Sequence, residues 1–212
     1  MENNDQFKRL ECKTPSRLEV LKMNLMVAVG QNMEIGLNGR LPWSLPSEYA
    51  TFKKMVKGSP LPPVGKKNVI LSGRNTWISR TMSREHFVNP LWDLINIVIS
   101  RTLTEVPKGA DYVFSSLDSA LEFLSQPEQL IQIHEVWIGG GHGLYKAGLK
   151  SQVFHRLYLT RVYGDFEHDA TFPAIDLSKY CSVRDERLPE GVQEENGIKY
   201  QYFVYEKKPN SR

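Results

Sequence analysis

The segment Leu94–Ser100, reading Leu-Ile-Asn-Ile-Val-Ile-Ser, constrains the fold more than any other stretch of the chain. It is largely β-branched or leucine and lacks the strict alternation of a half-exposed strand, so it reads as a strand covered on both faces. Such strands belong to sheets sandwiched between helices, and the flanking sequence supplies strands and helices in turn. Asn24–Gly30 is a short apolar strand closed by glycine, and Gln31–Pro42 reads as a loop rich in Asn and Gly. Pro46 opens a helix through Val56, which Gly58 and the prolines at 60, 62 and 63 end. Asn68–Leu71 is a strand running into Gly73 and a short helix that carries Trp77, followed by an irregular stretch, Ser79–Asp93. Ser116 caps a helix whose Leu117, Ala120, Leu121 and Leu124 recur at helical spacing and mark its core face. Glu135–Ile138, the turn Gly139–Gly141 and the helix His142–Leu149 form a strand–glycine–helix unit. Phe154–Val162, Tyr180–Arg187 and Ile198–Tyr205 are three more strands, the last two set around Gly191–Gly197 as a closing hairpin. The order predicts one α/β domain built on a mixed, mainly parallel sheet of about eight strands.

At 212 residues the chain suits a single domain, since domains average about 150 residues. The domain is expected over residues 23–206, with a mobile polar leader at 1–22 and a tail at 207–212. Hydrophobic residues at 41% and charged ones at 24% match globular averages and exclude a disordered or fibrous chain. The net charge of +3 is spread without a basic run, so nucleic acid is not indicated as a partner. The apolar runs Leu25–Val29 and Leu94–Ile99 fall far short of the ~20 residues of a bilayer span. Cys12 and Cys181 form no paired framework, which fits free thiols in a reducing compartment such as the cytoplasm. The five histidines, 86, 134, 142, 155 and 168, share no ligand spacing with Cys, Asp or Glu, so no metal is expected. No GxSxG elbow or other nucleophile arrangement favours covalent catalysis.

Three clusters remain for chemistry. Leu41-Pro42-Trp43 precedes Glu48 and Phe52, which lie four apart and share one helix face, so a carboxylate and an aromatic ring line one wall. An ionisable group in apolar surroundings binds a heterocycle and tunes a proton; the plainer reading is a glutamate favouring the helix N-terminus electrostatically. Gly139-Gly140-Gly141 allows a phosphate to approach the backbone at a helix N-terminus, or serves only as a tight connection. As a dinucleotide fingerprint it is incomplete, because Leu144 stands where the last glycine belongs. Gly73-Arg74-Asn75-Thr76 and Ser100-Arg101 each place an arginine at a strand end, suited to a pyrophosphate and the extra phosphate of NADP, or to solvent.

In order, these segments resemble dihydrofolate reductases. The likeness runs from Asn24–Val29 through Gln31–Gly36, Asn38–Trp43, Glu48 and Phe52, Gly73–Trp77, Asn96–Arg101, Val136–Lys146, Tyr158–Arg161 and Asp169–Pro173 to Gly197-Ile198-Lys199-Tyr200. It implies an eight-stranded sheet flanked by four helices, with NADPH and dihydrofolate meeting in a cleft of a monomer. It implies hydride transfer to the pterin C6 with protonation at N5. By position, Glu48 binds the pterin and supports the proton step, Trp43 holds an ordered water, and Thr160 joins their network. Met26, Leu41, Tyr49 and Phe52 match the apolar substrate walls, and Arg80, Leu91 and Tyr145 stand at further substrate-side positions. Ala28 and Ile35 match nicotinamide neighbours, and Gly140 and Gly141, joined by a cis bond in the family, match the pyrophosphate turn. Arg74 and Thr76 match cofactor-phosphate contacts, and Ser100 with Arg101 the 2′-phosphate end. The likeness also places Gly39, Gly73, Asn75, Gly139, His142, Gly143, Leu144 and Tyr145 along the cofactor.

The chain departs from the family at Leu94, where an arginine grips the α-carboxylate of the folate tail. It departs again at Arg80, where an isoleucine is usual, in the long Ser79–Asn89 segment, and at Ser115, where some members carry an arginine. Arg80 or Arg84 could replace the missing tail ligand from across the cleft, or both could be solvated. Leu94 also leaves open a non-catalytic folate- or nucleotide-binding relative. A riboflavin-pathway pyrimidine reductase of the same fold would not be expected to carry Leu41-Pro42-Trp43 with Glu48.

Overall fold

The computed structural model describes residues 21–82, 91 and 93–208, with the side chains of 80–82 outside that description. Arg80's side chain, Arg84, Cys12, nearly all of the leader and the end of the tail therefore lie outside the described residues. In chain order the elements are β1 (Met23–Val29), β2 (Glu34–Gly36), α1 (Pro46–Lys57), β3 (Lys67–Gly73), α2 (Arg74–Met82), β4 (Ile95–Ile99), β5 (Tyr112–Phe114), α3 (Leu117–Leu124), α4 (Pro127–Leu130), β6 (Ile133–Ile138), α5 (His142–Lys150), β7 (Phe154–Tyr163), β8 (Ala170–Thr171), β9 (Tyr180–Val183), β10 (Val192–Glu195) and β11 (Ile198–Lys207).

The main sheet runs β10-β11-β7-β1-β6-β3-β4-β5, with β9 also paired to β11. Because β10 pairs with one end of β11 (Glu195↔Ile198) and β9 with the other (Val204↔Val183), the nine strands fill eight positions. The pairs from β7 across to β5 are parallel, and only those made by β11 are antiparallel. The mixed, mainly parallel eight-stranded sheet is thus as read from the sequence, and α1, α2, α3 and α5 are the four longer helices, α4 being a single turn. As predicted, Leu117, Ala120, Leu121 and Leu124 are buried, and Ser116 caps α3, its Oγ accepting from Ser119 N at 3.1 Å.

Four readings need correction. The Gln31–Pro42 loop contains β2, which pairs with the two-residue β8 in a separate small sheet. The helix at Trp77 runs on to Met82, so Ser79 belongs to it and not to an irregular stretch. The strand at Tyr180 ends at Val183 instead of Arg187, because Asp185 turns to accept hydrogen bonds from the Tyr158 hydroxyl (2.9 Å) and the Arg187 guanidinium. The closing hairpin accordingly belongs to β10 and β11, turning at Asn196 and Gly197, both with positive φ. In addition, Leu21, placed with the leader from sequence, is buried in the main apolar cluster.

The parallel strands end together at Val29, Gly73, Ile99 and Ile138. In an open α/β sheet ligands bind beyond such carboxyl ends. The main core cluster lies on one face of the sheet around Leu25, Leu71, Ile97 and Ile138; a second cluster gathers Met26, Met55, Ile70, Leu91, Leu94, Trp137 and Tyr158, with Phe52 packed against it.

Candidate active site

α1 positions the acid. Pro46 pre-sets the helical φ of its first turn, and Leu45 at the N-cap offers no side-chain cap. The missing cap comes from far along the chain: both Glu195 carboxylate oxygens accept from Ser47 N, at 3.1 and 2.9 Å, and Oε1 also accepts from Ser47 Oγ at 2.8 Å. Asn196 adds a bond from its Nδ2 to Ser44 O. The β10–β11 turn therefore straps down the start of the helix that bears Glu48.

Glu48 is 5% exposed, and its Oε1 accepts a hydrogen bond from Thr160 Oγ1 on β7 at 2.8 Å. Burial pushes its carboxyl up from the ordinary 4.5 to about 7; the Thr160 hydroxyl pulls the other way, and the charge on Glu195 adds to the rise. One hydrogen bond is too few to offset full desolvation of a carboxylate, so the group sits where it can gain or lose a proton near neutrality. The Trp43 indole N–H is buried with no hydrogen-bond partner among the described residues, a donor left for a ligand. The Trp43 ring packs edge-on against Phe166, centroids 5.0 Å apart. Tyr49 and Phe52 stack along α1, 5.7 Å apart, while Leu41 packs against the Trp43 cluster. Met26 and Ala28 lie on β1 alongside; Met26 O accepts from the Tyr145 hydroxyl at 2.9 Å, and Ala28 is in register with Thr160. Leu91 and Leu94 are both buried beside Phe52, so the position that the resemblance gives to an arginine holds an apolar side chain in an apolar cluster.

A second group of predicted residues meets at the ends of β3 and β6. Gly73 N donates to Gly140 O at 2.7 Å, and the Gly140–Gly141 peptide is cis, as the resemblance implied. A Cβ on Gly141 would come within 3.1 Å of Thr76 Oγ1, and Gly140 has φ +118°, a region open in practice to glycine. Gly141 leads into α5 without a side-chain cap, leaving His142 and Gly143 at a helix start with open space around Gly143. His142 Nδ1 lies 2.7 Å from Thr171 O, which ties this turn to β8. Arg74 reaches Thr102 Oγ1 with its Nη1 (2.7 Å) and Asn75 with its Nε, while Arg101 is exposed just past β4.

Some predicted site residues play plainer parts. Leu144 is buried in the main core, and its N–H donates to Gly141 O, so it completes the first turn of α5. Ser100 Oγ accepts from the N–H groups of Thr102 (3.2 Å) and Leu103 (3.1 Å), which makes it a turn cap at the end of β4. Gly39 has φ +74° beside Asn38 at +50°, forming a tight turn between Leu37 and Arg40, and its carbonyl accepts from Ser79 Oγ. Gly139 N donates to Leu71 O, whereas Ile35 on β2 is only half-buried, touching the edge of the main core. Sequence reasoning missed Glu195 and Glu34. A pairing across 148 residues leaves no local mark for Glu195, but Gly30 and Glu34, four apart, carry a signal described below.

The family model described as dihydrofolate reductase matches residues 22–207. The dihydrofolate reductase of Sus scrofa is 45% identical over 190 residues, covering 89% of this chain and 99% of the relative, and that of Drosophila melanogaster is 39% identical with the same coverage. Among solved structures, Schistosoma mansoni dihydrofolate reductase superposes with a TM-score of 0.75 at 34% identity, covering 89% of this chain and 99% of its own. A structure of dihydrofolate reductase from Enterococcus faecalis complexed with NADP(H) and RAB-propyl gives a TM-score of 0.69 at 24% identity, covering 89% of this chain and 97% of its own, a likeness of fold. Matched by the family model over nearly the whole described domain and by relatives of up to 45% identity along nearly their full length, the chain belongs to the dihydrofolate reductase family.

Proposed function

We propose that this chain reduces 7,8-dihydrofolate to 5,6,7,8-tetrahydrofolate with NADPH, and that Glu48, Trp43 and Thr160 are its catalytic residues. The observation that carries this reading is Glu48 itself, a buried carboxyl held by a single hydrogen bond at about 7. Because Thr160 occupies Oε1, Oε2 is the atom left to pair with the donor edge of a pterin ring. Tyr49, Phe52, Met26, Leu41 and Leu91 supply apolar walls that exclude water and keep that pair in a low dielectric. In its neutral form Glu48 supports protonation of N5, with the Trp43 N–H, unpartnered among the described residues, positioned to hold the water that carries the proton.

The residues present fit a dinucleotide. Gly73, Gly140 and Gly141 form a cradle that side chains would fill, and the uncapped start of α5 offers N–H groups to a pyrophosphate. Arg74, directly after Gly73, and Arg101, exposed just past β4, are assigned to the 2′-phosphate; Ala28 and Ile35 are assigned to the nicotinamide. When bound there, NADPH supplies the hydride. The folate tail is read as weakly held, since Leu94 contributes no charge. We read the chain as a monomer of the cytoplasm, consistent with the free thiol of Cys181, serving one-carbon metabolism and open to antifolate inhibitors.

The test follows NADPH absorbance with dihydrofolate for the parent chain and Glu48→Gln. Turnover in the parent and its collapse in the variant are expected; a parent that binds dihydrofolate without turnover would replace an enzyme with a binding protein.

A further inference from the structure

The reaction as read above uses one buried carboxyl, and the fold contains another that it does not use. Glu34, at the start of β2, is 0% exposed. Its Oε2 accepts from Asn32 N at 2.7 Å and its Oε1 from Asn32 Nδ2 at 3.0 Å; the same Nδ2 donates to Asp165 Oδ1 at 3.2 Å. Room for this carboxylate exists only because residue 30 has no side chain: a Cβ on Gly30 would lie 2.4 Å from Glu34 Oε2. The backbone closes the same loop, with Gly30 N donating to Glu34 O at 3.0 Å and Met33 N to Gly30 O at 3.2 Å. Met33 itself is held at φ +67°, a conformation that a non-glycine residue adopts only when its surroundings impose it.

The loop fixed in this way reaches both halves of the cleft. Along β2, Ile35 follows Glu34 directly and points to the opposite side, as successive strand residues do. On the other side, Phe166 lies within 3.2 Å of the Gly30 Cβ position and packs edge-on against Trp43. Arg161, next to Thr160 on β7, donates to Gln31 O at 3.0 Å and secures the loop at its origin. Burial raises the Glu34 carboxyl, but bonds from its own N–H, from the Asn32 side chain and from Asn32 N, with His168 nearby, bring it below the ordinary value. The group is thus an anion under a thin cover of its own loop.

We propose that Glu34 is a positioning residue for hydride transfer: clasped by Asn32 over Gly30, it locks the 30–36 loop in the one arrangement that sets Ile35 against the nicotinamide and, through Phe166, holds the Trp43 ring in place. This rests on the reading of the chain as a dihydrofolate reductase. A clasp of this kind acts on the geometry of the transition state more than on substrate binding.

The test measures steady-state turnover of dihydrofolate with NADPH, and with NADPH deuterated at nicotinamide C4, for the parent, Glu34→Gln and Asn32→Ala. Asn32 is exposed, so its variant keeps the fold even if the buried substitution does not. Both are expected to lower kcat about tenfold, the scale of one hydrogen bond to a charged group, to leave the KM for dihydrofolate near the parental value and to enlarge the isotope effect on kcat. Gly30→Ala is expected to mimic them and to cost much less once Glu34 is Ala, because the clash with the carboxylate is then gone and only the 3.2 Å approach to Phe166 remains. Parental kcat and isotope effect in Asn32→Ala and Glu34→Gln, or additive effects of Gly30→Ala and Glu34→Ala, would overturn the assignment. If the parent does not turn over dihydrofolate, the functional reading fails and the clasp is judged by hydrogen exchange at amides 32–37. Faster exchange in Asn32→Ala supports it, and parental exchange overturns it.

Discussion

Glu48 and Glu34 are both buried glutamates within one small domain, yet one is held near neutral pH and the other is pinned as an anion. Burial acts on both in the same direction. The difference lies in the donors: Glu48 has the Thr160 hydroxyl, whereas Glu34 has its own N–H and both donor groups of Asn32. A carboxyl meant to move a proton is left short of partners, and a carboxyl meant to hold a loop is given several. Burial alone therefore says little about what a carboxyl does; the count of hydrogens aimed at it says more.

The largest expected break in that pair is catalytic. Glu48→Gln should lower turnover at pH 7 by at least about a hundredfold, the usual scale of general acid catalysis, while Glu34→Gln loses about tenfold. Equal losses in the two variants, measured by NADPH oxidation, would erase the distinction.

Stability separates them by sign. Glu48 ionises at 4.5 when unfolded and at about 7 when folded, so between those values the folded chain binds the extra proton and loses stability as pH rises. At pH 8 the penalty is about 3 kcal/mol, from 1.4 kcal/mol per unit, and Glu48→Gln should recover part of it in a denaturant titration. Glu34, lowered on folding, contributes stability above its unfolded value and loses it as pH falls through its folded value. Glu34→Gln should therefore destabilise at pH 8, by about 1 kcal/mol for a group under so thin a cover. The comparison fails if both variants shift the midpoint the same way.

Two smaller effects probe the acid's setting. The rate of the chemical step should decline above pH about 7, and Thr160→Val, which removes the bond favouring the anion, should move that decline up by about a unit, read from single-turnover pH profiles. Glu195→Gln removes a negative charge and should move it down by a few tenths of a unit, less at high salt. An unmoved profile in Thr160→Val would mean that the titrating group is not Glu48.

Much of this arrangement is written locally. The strand–glycine–helix units and the α3 core face follow from periodicity and capping, and Trp43, Glu48 and the Gly140–Gly141 turn stand in recognisable order. What escaped notice had no local signal or a misread one. Strands of two to four residues, such as β2, β8 and β10, are too short to show a period and exist through their pairing. Glu195 meets Ser47 across 148 residues. Gly30 and Glu34 are different: a glycine closing a strand reads as an ordinary turn until the carboxylate packed over it is seen.

The strap from Glu195 to Ser47 bears on when the enzyme becomes an enzyme. Helix α1 and the β10–β11 hairpin can each form early, but the carboxylate that caps the helix lies 148 residues further on, and the hairpin that carries it is placed by the pairing of β11 with β7. Contacts so distant in sequence are slow to close. Catalytic competence should thus trail the sheet during refolding, so that recovered turnover reports a finished molecule where circular dichroism reports only a folded frame.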